Sequence, residues 1–129
     1  TRTTGLHIHI GYEKPSIDFS LQLVKYMDMY VGVPSVIHDT DTKRRKYYGN
    51  AGSFRLCEYG VEYRCLSGLW LKDEESLRFI HQQTVKAVNA CLEGKGLADP
   101  DLIISTINNL DSKKAIAQAE SLIKNYNLL

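Results

Sequence analysis

Ala51-Gly52-Ser53-Phe54-Arg55-Leu56-Cys57-Glu58-Tyr59-Gly60-Val61-Glu62-Tyr63-Arg64-Cys65-Leu66 is the stretch on which the fold turns. Its alternation predicts two strands, 51–58 and 61–66, joined at Tyr59-Gly60. With a two-residue turn, Glu58 faces Val61, Cys57 faces Glu62, Leu56 faces Tyr63, Arg55 faces Arg64 and Phe54 faces Cys65. Opposed residues share a face. Phe54, Leu56, Val61, Tyr63 and Cys65 are therefore the expected core side, and Ser53, Arg55, Cys57, Glu62 and Arg64 the expected polar side. Two arginines directly opposite one another repel unless an anion lies between them, and Glu62 can neutralise only one. Something negative is expected there; the competing reading is an internal Arg-Glu salt-bridge cluster on a solvated face.

Upstream, Gly5-Leu6-His7-Ile8-His9-Ile10-Gly11 alternates strictly, so a strand carries Leu6, Ile8 and Ile10 on one face and His7 and His9 on the other. The two imidazoles would project in parallel about 6.6 Å apart. Pro15-Ser16 opens a helical pattern with Ile17, Leu21, Val24 and Met27/Asp28 as its stripe, ending near Gly32. A short helix or turn follows from Pro34 to Asp41, and then a basic loop, 42–50, whose Arg44 and Arg45 could clamp phosphate or simply be solvated.

Downstream, Trp70 is expected as a core anchor rather than a stacking platform. Asp73 caps a helix to about Leu92 with Leu77, Ile80/His81, Thr84, Val88 and Cys91 along its stripe, and Gly94 and Gly96 end it. Asp99-Pro100 and Asp111 start two more helices, the second with Ala115, Ile116, Ala119, Leu122, Ile123 and Tyr126 on its stripe. This C-terminal helical region, 93–129, looks structural. His38 and His81 are expected in ordinary structural or surface roles, and a nucleophilic role for Cys57 is not expected.

With 129 residues, 43% of them hydrophobic, the chain is sized for one core, and a single domain over 1–129 is expected. Sixteen basic against fifteen acidic residues give no global reason to expect nucleic acid or an anionic membrane as partner. Three cysteines without a C-x-x-C pair argue against a disulfide framework or zinc site, and no apolar run approaches the ~18 residues a bilayer requires. The expected location is cytoplasmic.

Gly5-Leu6-His7-Ile8-His9, then Tyr48-Gly49-Asn50-Ala51-Gly52-Ser53-Phe54-Arg55, then Tyr59-Gly60-Val61-Glu62-Tyr63-Arg64 and Leu66-Ser67-Gly68-Leu69-Trp70 come in an order that resembles the glutamine synthetase and glutamate-cysteine ligase superfamily. The set is most similar to the phage-type amidoligases called carboxylate-amine ligase type 2, over about residues 4–92. The resemblance implies an α+β fold, with an antiparallel curved sheet of glutamine synthetase catalytic type, helices on its apolar face and a cleft over its polar face. It implies ATP and Mg²⁺ or Mn²⁺ as cofactors, a carboxylate and an amine (an amino acid or peptide-like molecule) as substrates, and a bacterial or phage-infected cell as setting. His7 and Glu62 would be metal ligands, His9 and Arg55 would face ATP phosphates with Arg44 and Arg45 as further candidates, and Arg64 would contact the substrate or acyl phosphate.

The resemblance also implies N-terminal strands with further acidic ligands that these residues do not supply. The chain is accordingly expected to be a partial domain, trimmed or fragmentary ahead of Thr1, and to be inactive alone or completed by a second polypeptide. Two other readings compete. A metal-dependent hydrolase using His7, His9 and Glu62 predicts tight zinc binding and indifference to nucleotide. A non-catalytic remnant or virion-associated interaction domain, docking an acidic partner, predicts that His7→Ala leaves binding intact.

Overall fold

A computed structural model describes residues 5–39 and 49–129. It is a mixed helix and strand structure built on a small antiparallel sheet of order β1-β3-β2, with β1 at Gly5–Gly11, β2 at Phe54–Cys57 and β3 at Gly60–Ser67. The central strand is the last in sequence, so β3 presents its polar side chains between two flanking strands.

The hairpin turns at Glu58-Tyr59, one residue earlier than expected, and the pairs become Phe54 with Tyr63, Arg55 with Glu62, Leu56 with Val61 and Cys57 with Gly60. A glycine is required inside β3 at this point. Gly60 has φ of 154°, and a Cβ there would stand 2.1 Å from the carbonyl oxygen of Ile10 on β1. The pairing moves by two residues, which preserves the facing of every side chain. Val61, Tyr63 and Cys65 are buried as expected, whereas Leu56, on the edge strand, is 45% exposed.

On the other side, β1 pairs with β3 through Ile8–Tyr63, His9–Glu62 and Ile10–Val61, and an irregularity between Leu6 and Ile8 sets His7 against the extra residue of a bulge on β3. Among the described residues no strand pairs with the outer edge of β1.

Ser16 accepts the Phe19 amide and caps α1 (Ile17–Met27), which runs through a π-turn, Asp28–Gly32, into the short α2 (Val33–Ser35). Helix α1 packs on β2 and β3 and on the long α3 (Glu74–Glu93). Its buried face is Ser20, Leu23, Val24, Tyr26 and Met27, so the expected stripe positions Ile17 and Leu21 are exposed instead. The core face of α3 is likewise rotated from the expected one: Ser76, Ile80, Gln83, Ala87 and Ala90 are buried, and Leu77 is exposed. Small and polar residues face inward because α1 lies close against α3 and because the Gln83 amide donates to the Tyr30 and Leu128 carbonyls at 2.9 and 2.7 Å.

The caps follow the sequence. Asp73 caps α3 and Gly94 closes it in the left-handed region; Asp99 caps α4 (Pro100–Asn108) and Asp111 caps α5 (Ser112–Tyr126). Tyr126, expected on the α5 stripe, is exposed, while Ala115, Ala119 and Leu122 are buried. Trp70, in a 3-10 turn at Gly68–Leu71, is buried and stacked on Phe79 at 5.7 Å between ring centres, as a core anchor should be. No described helix is long and apolar enough to cross a membrane.

Candidate functional site

Glu62 stands at the middle of the central strand, with His9 directly across on β1 and Arg55 directly across on β2. Arg55 Nε lies 2.7 Å from Glu62 Oε2, His7 Nδ1 lies 2.7 Å from Oε1 by a diagonal reach, and His9 Nε2 is 3.7 Å from the same oxygen. The alternation of β1 and the parity of the hairpin thus bring His7, His9, Arg55 and Glu62 to one wall. The expected opposition of Arg55 and Arg64 is not what forms. Arg55 faces Glu62, and Arg64, exposed beside the bulge, makes no ion pair with the described residues. Of the two readings of this face, the internal Arg-Glu pair is the one that forms at Arg55. Arg44 and Arg45 lie outside the described residues.

The Glu62 residue is only 3% exposed, yet its cover is the ring of His7, His9 and Arg55 side chains rather than the core. Loss of water works against its charge, but Arg55 first, then His7 and His9, outweigh that and hold the carboxyl below its ordinary range. Glu62 in turn pushes the Arg55 guanidinium up. Arg55 Nε, at 2.7 Å, is the partner of the buried Oε2.

Tyr59, at the hairpin turn, is a member of the cluster that sequence reasoning missed. Its hydroxyl bonds His9 Nδ1, and a hydrogen bond with Cys57, followed by loss of water, pushes its phenol up to about 12. Tyr59 therefore stays protonated at neutral pH. The contact fixes the His9 ring with Nδ1 toward Tyr59 and Nε2 toward Glu62. Nothing in the alternation marks a turn residue as reaching back over the sheet.

For a divalent cation the donor chemistry fits one corner of a coordination shell. Glu62 offers a carboxylate, the ligand type Mg²⁺ and Mn²⁺ prefer, although its Oε2 is ion-paired with Arg55, and His7 is an acceptable nitrogen neighbour. Among the described residues no group of three or more His, Cys, Asp or Glu side chains is arranged to hold a metal. A cleft of about 490 Å³ adjoins the wall, running between β1 and α3 and bordered by His7, His9, Ile8, Ile80, His81 and Val88. It lies along the open side of β1, and Glu62 is not among its lining residues.

Residues 2–104 match the family described as Phage phiEco32-like COOH.NH2 ligase-type 2. No curated protein and no solved structure matches the chain closely enough to be compared. The ligase match favours neither the hydrolase nor the remnant reading.

Proposed function

The chain belongs to that COOH-NH2 ligase family, and from this premise we propose that the Glu62 wall forms part of a site joining a carboxylate to an amine with ATP. The observation that carries the proposal is the convergence of His7, His9 and Arg55 on one buried carboxylate. The substrate carboxylate attacks the γ-phosphorus of ATP, ADP leaves, and the acyl phosphate so formed is attacked by the amine, which releases phosphate and leaves an amide.

Charge neutralisation is the central requirement of the first step, since negative charge spreads over the transferred phosphoryl oxygens. We assign that role to Arg55, a reading supported by its side chain being 62% exposed and bound to Glu62 from one side. His9, its ring held by Tyr59, is assigned to a neighbouring phosphate oxygen. Arg64, free of a described acidic partner, is assigned to the substrate carboxylate or acyl phosphate. Arg44 and Arg45 remain candidates for the outer phosphates.

His7 and Glu62 would hold Mg²⁺ or Mn²⁺, which when bound neutralises phosphate charge that Arg55 alone cannot. One acid and one imidazole make an incomplete shell among the described residues, so we assign its other positions to water, ATP phosphate oxygens and protein ligands outside the described residues, a second polypeptide being one source of them.

Nucleotide binding is tested by thermal denaturation with ATP plus Mg²⁺ or Mn²⁺. A ligand at a hundredfold its Kd adds about 2.7 kcal/mol, so a clear rise in Tm is expected for the wild type and its loss for Arg55→Ala. A wild-type Tm indifferent to nucleotide with either metal rules the proposal out. Amide formed by the chain by itself would remove the second polypeptide from it.

A further inference from the structure

We infer that Asp28, in the π-turn behind the sheet, is a positioning residue for Arg55: it grips the segment from which β2 starts and so fixes where Arg55 meets Glu62. Asp28 is buried, and two donors converge on its Oδ1, the Tyr63 hydroxyl at 2.6 Å and the Gly52 amide at 3.0 Å; the Cys65 thiol lies 3.7 Å away and is closer, at 2.9 Å, to the Asn50 carbonyl. A buried carboxylate is a poor device for stability alone, because an apolar side chain of similar size would serve as well or better. What the acid does that an apolar group could not is hold a main-chain N–H.

That N–H belongs to Gly52, whose φ of +75° turns the chain just ahead of β2. Its neighbours are tethered too: the Ala51 amide donates to Asn108 Oδ1 of α4 at 2.7 Å, and the Ser53 carbonyl accepts the Arg64 amide of β3 at 2.9 Å. Three consecutive residues are thus fixed to three elements, two positions before Arg55. The same carboxylate holds Tyr63, which adjoins Glu62 in β3 and pairs with Phe54 beside Arg55. Both halves of the Arg55–Glu62 pair are referred to one buried oxygen.

The consequence for nucleotide binding rests on the ligase proposal, whereas the positioning itself does not, and the experiment separates them. In a nitrogen-15-labelled chain at pH 7, Asp28→Ala is expected to speed exchange of the Gly52 amide at least tenfold and to move the Arg55 Nε–H resonance toward that of free arginine. The β1–β3 ladder should keep its protection. Asp28→Asn, which keeps the shape and one acceptor oxygen, is expected to give the same changes at smaller amplitude, and it decides the matter should alanine fail to fold. A folded variant of either kind with the Arg55 signal unmoved overturns the inference. Titration of ATP with Mg²⁺ into the same samples is read separately: a wild type that does not bind removes the ligase proposal and leaves the Arg55 readout decisive.

Discussion

Asp28 and Glu62 belong to the two faces of one sheet, and their protons respond to different surroundings. Glu62 is held ionised by Arg55, His7 and His9, so what it contributes to stability is present above its unfolded pKa and lost as pH falls through the folded one. Asp28 runs the other way. Burial, only partly opposed by Tyr63, Gly52 and Cys65, raises it from 3.8 to about 6. The folded chain then binds a proton that the unfolded chain has released, so stability from Asp28 is present below about pH 4 and is lost as pH rises through about 6. The loss amounts to about 3 kcal/mol at neutral pH. Tyr63 and Cys65, the titratable groups facing it, keep their protons throughout that window. Urea unfolding of the wild type and Asp28→Asn between pH 4 and pH 8 is expected to show the variant gaining on the wild type up to about pH 7 and running parallel beyond it. A constant difference across that range would mean that Asp28 has an ordinary pKa. Stability lost in this way at neutral pH would be the counterpart of the grip on Gly52.

At the level of strands and helices, the facing of side chains was legible in the sequence and their partners were not. Alternation fixed His7 and His9 together and Arg55 with Glu62, because the two-residue displacement of the hairpin cannot change parity. It could not find the turn. Tyr59-Gly60 has the composition of a hairpin loop, but the glycine is demanded by the approach of β1, a long-range contact with no local signature. The helices show a related limit. Small residues, Ser20, Ala87 and Ala90, take buried positions on α1 and α3 while the larger Ile17, Leu21 and Leu77 face out. Asp28 gave no signal, since an acid on an apolar stripe does not disclose its donors. Gly60→Ala tests the account of the turn: with a Cβ 2.1 Å from the Ile10 oxygen, β1 must shift off β3, and a loss of about 2 kcal/mol or more is expected in chemical denaturation. A variant within about 0.5 kcal/mol of the wild type would show that the glycine serves only the turn.

Across the molecule, the residues beyond the matched span reach the site through the core. After α5, Asn127 takes a left-handed conformation and turns the chain so that Leu128 enters the core with none of its surface exposed. The carbonyl of Leu128 and that of Tyr30, in the π-turn that Asp28 begins, are both bound by the single Gln83 amide group. The C-terminal end and the π-turn are therefore joined through one buried side chain, although α4 and α5 carry no residue of the Glu62 wall. Truncating Leu128 to alanine removes a filled position and is expected to destabilise by about 3 kcal/mol. Gln83→Leu strands two buried carbonyls and is expected to cost about 2 kcal/mol or more. Because each change loosens the same tether, the double variant should fall short of the sum by at least about 0.5 kcal/mol. Strict additivity in urea unfolding would show two independent anchors, and the C-terminal helices would then support the fold without bearing on the π-turn from which Asp28 holds Gly52.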